Sequence, residues 1–212
     1  MNDGATIEDL REVNIFYLDS DPAAAARAHC DRHVVKMILE TAQLLSTAWH
    51  VVAPHAIETD VDSTDPAFPR SDVARARAAN LPFDTKYYLA GNQRIYACTH
   101  REHPCAIWVR SGREQYDWAW RLGMHLLDEY THRYRKDHAT TPILRTLEFP
   151  PPKLPVNGPK GPALAMPDEF KRRGDPVASY RAYYRDGKRH LLKYTRRAPP
   201  SWLRDVAEYR DA

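Results

Sequence analysis

His33, Lys36, Glu40, Gln43 and Thr47 recur at steps of three and four, a spacing that stacks side chains on one strip of an α-helix. Lys36 stands four residues before Glu40. His33 stands seven before it, nearly eclipsed. A carboxylate on a rigid helix can stabilise an oxocarbenium-like sugar cation or activate water at C1′, and it can equally serve an amine nucleophile as proton shuttle. That is the chemistry of N-glycosidic bond cleavage. The competing reading is a hydrogen-bonded core histidine beside a surface Glu–Lys pair.

Other chemistries have weaker support. Cys98, His100, His103 and Cys105 place four ligand-type residues within eight positions, and His29, Cys30, Asp31 and His33 add more. Structural zinc sites usually draw paired ligands from two separated places. The spacing here is cramped, and neither Cys-x-x-Cys nor His-Glu-x-x-His occurs, so neither metal nor cofactor is expected. No Gly-x-Ser-x-Gly elbow and no phosphate-cradling glycine loop is present. A P-loop kinase or a dinucleotide-dependent dehydrogenase is therefore disfavoured.

The strip lies on a helix predicted over 31–48. Val34, Val35, Ile38, Leu39, Ala42 and Leu45 repeat at helical spacing, widened by Met37 and Leu44. A helix apolar over most of its circumference belongs inside a domain, and an ionisable strip on it is costly unless something polar lies against it. Upstream, 14–19 reads as an extended lead-in. Asp21-Pro22 opens a helix to about Ala28, which either continues into the next one or breaks near Cys30 with Asp31 as cap. Residues 53–84 read as a long Pro-containing loop with a short helix near 71–79. Residues 84–97 read as a helix interrupted at Gly91-Asn92. Over 103–134, Pro104 can open a helix and Ser111-Gly-Arg-Glu114 can form a capping box for a second start. Tyr116, Trp120, Gly123, Leu127, Tyr130 and Tyr134 then make one face, read as core rather than a stacking platform. From Pro142 to Pro176 nine of thirty-five residues are proline, which predicts extended or polyproline backbone. Asp175-Pro176 repeats the helix-start signal, with Gly187 ending or bending that helix.

The net charge of +3 hides an asymmetry: residues 1–65 carry twelve acids and four bases, residues 66–212 sixteen acids and twenty-seven bases. A basic half of that size suits a polyanionic partner. Within 168–204, eleven bases face four acids and interleave with tyrosines, as phosphate contacts and base stacking require. A solvated Lys/Arg face would have the same composition. Three cysteines, few and odd in number, argue against a disulfide framework. No apolar run reaches membrane-spanning length, so a soluble, cytoplasmic chain is expected.

Three motifs in shared order resemble the small all-helical pyrimidine-dimer DNA glycosylases of the endonuclease V type. Asn14-Ile15 precedes a helix with His33, six residues, then Glu40. A central helix ends in Glu129-Tyr130-Thr-His-Arg133-Tyr134. The tail Lys193-Tyr-Thr-Arg196-Arg197-Ala-Pro199-Pro-Ser-Trp202 looks like that family's basic ending. The stretches around 14–19 and 33–43 also look like those of related phage-borne and bacterial proteins. The resemblance implies that Glu40 is the catalytic carboxylate with His33 beside it in the pocket. In that family an N-terminal amine attacks C1′. Here Asn14-Ile15 begins thirteen residues in, so either the leader folds back, or Val13 is the true start, or water replaces the amine. Lys36 is the in-helix amine. Leu39 and Gln43 stand where the family has arginines, which implies a substrate other than a simple thymine dimer.

The expectation is thus an all-α single domain over 14–204, after an acidic leader (1–13) and before a short tail (205–212). It excises an altered, bulky or phage-type hypermodified pyrimidine from double-stranded DNA as a monomer, with an antiviral role as one consequence. Glu40, His33 and Lys36 are the catalytic candidates. Asn14, Gln43, Arg110, Arg113, Tyr180, Arg181, Tyr184, Arg185, Lys188, Lys193, Arg196, Arg197 and Trp202 are the substrate- and DNA-binding candidates. A transferase that modifies a pyrimidine in phage DNA and a non-catalytic DNA-binding protein are the alternatives.

Overall fold

Asp21 accepts hydrogen bonds from the amides of Ala23 and Ala24, and Pro22 occupies the first helical position of α1 (Pro22–Ala28). This is the start that an Asp-Pro pair specifies. The computed structural model describes residues 13–61, 85–89, 93–159, 161–162 and 164–203. The acidic leader apart from Val13, the expected helix near 71–79, most of the 53–84 loop and the 205–212 tail lie outside the described residues.

α1 ends at His29, and α2 (Asp31–Val52) begins after a break at Cys30. Asp31 is not its cap. Cys30 occupies that position without a side-chain hydrogen bond, and the Asp31 carboxylate is committed elsewhere. Val34, Met37, Ile38, Ala42, Leu44 and Leu45 of α2 are fully buried. The partner is α4 (Arg113–Tyr134), which follows the short α3 (Pro104–Val109). The two long helices run antiparallel. Arg133 near the end of α4 meets Asp31 at the start of α2 at 3.0 Å, and Trp49 near the end of α2 donates to the Tyr116 hydroxyl at 3.1 Å.

The Ser111 capping box does not form. Gly112 is the N-cap of α4, and the Ser111 hydroxyl donates back to the Trp108 carbonyl. Gly123 lies where α4 meets its neighbours: a Cβ there would come within 2.9 Å of Leu144 Cδ2 and 3.2 Å of Thr41 Cγ2. Leu144 belongs to α5 (Thr141–Thr146), a helical turn inside the proline-rich stretch, tolerated because Pro142 sits in its first turn. Its remaining described residues up to Asp175 are irregular apart from a 3₁₀ turn at Asp168–Phe170. α6 (Pro176–Ala182) opens on the Asp175 cap and runs into a π-turn, Tyr183–Gly187.

The fold is mostly helical but not all-α. A three-stranded antiparallel sheet joins β1 (Glu58–Val61), β2 (Thr85–Leu89) and β3 (Gln93–Ile95), with Tyr87 opposite both Thr59 and Ile95. The stretch expected as a broken helix therefore supplies two antiparallel strands, β2 and β3, while Gly91-Asn92 lies outside the described residues. The adjacent Tyr87 and Tyr88 suit a strand better than a helix. No helix among the described residues is long and apolar enough to cross a membrane.

Candidate functional site

One side of α2 is partly exposed over its first three turns. Val35 is 40 % exposed, and Arg32, Lys36, Leu39 and Gln43 are half-buried. They line a groove of about 700 Å³ together with Val13, Asp31, Glu40, His100 and Tyr134. From Asp31 to Gln43 the helix rises about 18 Å, so the groove is elongated along α2.

Glu40 lies at its floor, 6 % exposed. One carboxylate oxygen is 3.1 Å from the Lys36 ammonium, and the other accepts the Asn14 backbone amide at 3.2 Å. Burial raises the Glu40 pKa to about 7, against the opposing pull of Lys36 and the Asn14 amide. Near neutral pH such a group exchanges protons readily in either direction. Lysine before glutamate is also the less favourable order for an i,i+4 pair, so helix stability alone is a poor reason for this pair.

The segment over Glu40 is fixed by Asn14. Its side-chain oxygen accepts the amides of Ile15 and Phe16, and its side-chain nitrogen donates to the Ala165 carbonyl at 2.8 Å. Asn14 is 2 % exposed, which makes it a brace between the carboxylate and the proline-rich stretch rather than a surface for substrate. Phe16 next to it takes a left-handed backbone, as does His100 across the groove. Strained backbone in non-glycine residues clusters at functional sites.

His33 does not line the groove. Its ring stacks on Phe16 at 4.4 Å, and Nδ1 is 2.9 Å from the Tyr184 hydroxyl, which in turn accepts the Cys30 amide. Thr47, at the other end of the strip, exchanges hydrogen bonds with the Thr99 backbone. The strip is therefore divided: its ends are hydrogen-bonded core, and only Lys36, Glu40 and Gln43 face the groove.

The basic candidates are largely tied up within the chain. Tyr180 and Tyr184 are fully buried, and Lys188 is 6 % exposed with its ammonium over the Tyr183 ring. Arg181 pairs with Asp19 and lies over the Trp202 ring, and Arg185 pairs with Asp186. Arg110 donates to the Arg101 carbonyl and Arg113 to that of Pro152. Arg196 donates to the Arg133 carbonyl. Arg197 holds Glu129, whose carboxylate also receives the fully buried Arg133, and Arg133 reaches Asp31, which accepts the Thr195 amide and hydroxyl. Tyrosines 180 and 184 thus belong to the core, and Arg197 belongs to a structural ion network. Lys193 is exposed.

Arg32, His100 and Tyr134 line the groove yet were not singled out as site residues by spacing. Arg32 had a usable signal, since it stands four residues before Lys36 on the same helix. His100 and Tyr134 reach the groove only through tertiary packing. Among the described residues no group of three or more His, Cys, Asp or Glu could hold a metal ion. No family model, curated protein or solved structure matches the chain.

Proposed function

We propose that the chain is a DNA N-glycosylase that releases an altered pyrimidine, with Glu40 as its catalytic carboxylate. The observation that carries this reading is a single buried glutamate at the floor of an elongated groove, held between an ammonium and a backbone amide. The sugar of an extruded nucleotide sits over Glu40. Water attacks C1′ and passes a proton to Glu40, while the C1′–N bond breaks and its electron pair leaves with the base. The base then takes up a proton, leaving an abasic site. In the amine form of the same reaction, deprotonated Lys36 Nζ attacks C1′ while the C1′–N bond breaks and its electron pair leaves with the base, which takes up a proton lost by Nζ. The C1′–O4′ bond of the adduct then breaks, the remaining N–H proton passes to O4′, and an imine is left. Lys36 is close enough to Glu40 to pass its proton there. A groove of this size accommodates a bulky pyrimidine adduct, including those of phage DNA, and removal of such bases would act against phage.

The test uses matched duplexes: plain, dimer-containing, and containing glucosylated pyrimidines. Base release is expected on one of the altered duplexes. Glu40→Gln should abolish release while salt-dependent DNA binding persists. Failure to form abasic sites on any duplex removes this reading, and a mass gain on the nucleoside points to group transfer instead. Borohydride trapping separates the two nucleophiles: a covalent adduct that disappears in Lys36→Ala assigns the amine.

A further inference from the structure

The charges around the groove are unevenly committed. Lys36 is paired with Glu40, and Asp31 is turned toward Arg133 and Thr195. Arg32, on the same wall, has no hydrogen-bond or ion-pair partner among the described residues and is half-buried. This contrasts with Arg133, Arg181, Arg185 and Arg197, each engaged by a carboxylate. A half-buried arginine that no described acceptor engages can present its planar fork of donors to the groove it lines, suited to bidentate capture of a phosphate.

We propose that Arg32 is the phosphate clamp of this groove, gripping the backbone of the DNA strand whose target sugar lies on Glu40. The inference rests on the reading of Glu40 given above and adds a direction to it. Arg32 and Glu40 are eight residues apart on one helix, a rise of about 12 Å. A stacked strand advances about 3.4 Å per nucleotide. Arg32 therefore meets a phosphate within three or four nucleotides of the target, on one side only, and the strand follows the α2 axis. At the opposite end the groove offers the neutral amide of Gln43, so the strand has a charged and an uncharged side.

The first experiment measures binding without chemistry, using Glu40→Gln protein and a fluorescent 20-nucleotide duplex and single strand across a salt series. Adding Arg32→Ala should weaken binding about tenfold or more at low salt and lower the log–log salt slope by about one. Arg32→Lys should restore most of the slope but only part of the affinity, because an ammonium lacks the fork. The second experiment shortens the strand from each end. Trimming to within two nucleotides of the altered base on one side should erase the difference between Arg32 and Arg32→Ala, while the same trim on the other side leaves it. Unchanged slope and affinity in Arg32→Ala, or equal effects of both trims, would overturn the clamp. Absence of base release with the Arg32 slope intact would remove the glycosylase reading and leave the clamp standing.

Discussion

Glu40 has consequences that pH exposes. Its pKa in the folded chain is about 7, above the ordinary 4.5. Between those values the folded protein retains a proton that the unfolded chain has released, so stability falls as pH rises through this window and is level above it. The loss is about 3 kcal/mol at most. Glu40→Gln removes it, so the variant should melt at a higher temperature than the parent at pH 8 and nearly match it at pH 4, as read by circular dichroism. If ionised Glu40 activates the nucleophile, kcat/KM rises tenfold per unit below pH 7 and levels above it. A profile that falls through pH 7 instead makes Glu40 the proton donor. Both Glu40 and Lys36 were legible in the sequence because helical spacing alone brings them together. His33 shares their strip, yet its ring is drawn into the Phe16–Tyr184 cluster by residues up to 151 positions away, which no local spacing reveals.

At the scale of elements, helices with strong caps and long apolar periods were readable: α1 begins at its Asp-Pro signal and α2 spans the predicted stretch with a break at Cys30. The strand pair β2–β3 was not, since strands of five and three residues carry too little periodicity to outweigh tyrosines that suit either element. The closeness of α4 to α2 and α5 depends on Gly123. Gly123→Val should cost about 1–3 kcal/mol in urea unfolding, because the new side chain has to displace Leu144. The ends of α2 and α4 depend on the Asp31–Arg133–Glu129–Arg197 network. Removing Arg133 leaves two buried carboxylates without their shared cation, so Arg133→Ala should cost about 3–5 kcal/mol. The tail arginines read from the sequence as a polyanion-binding run because their partners lie 63 and 68 residues away.

Across the whole molecule, Asn14 joins three distant parts of the chain: the lead-in, the carboxylate of α2 and the proline-rich stretch at Ala165. Asn14→Ala keeps the backbone amide on Glu40 but removes the tether to Ala165. Hydrogen exchange should then quicken at 164–166, with little change in the centre of α4. Uniform protection in both regions would show that the tether does not hold the stretch.

The ion network that seals the start of α2 also sets a timetable for the growing polypeptide. Asp31 is made early, but its acceptors are filled only when Arg133 and Thr195, 102 and 164 residues downstream of it, have arrived. Tyr184, whose hydroxyl receives the Cys30 amide, comes 154 residues after Cys30. A nascent chain on the ribosome therefore carries Glu40 on a helix whose leading end has no polar partners, and the native groove closes late. Such non-local pairing slows folding and leaves apolar surface open to aggregation meanwhile. A ribosome stalled before residue 195 has emerged should display a chain far more sensitive to protease around 29–36 than one stalled after 203 is clear of the exit tunnel.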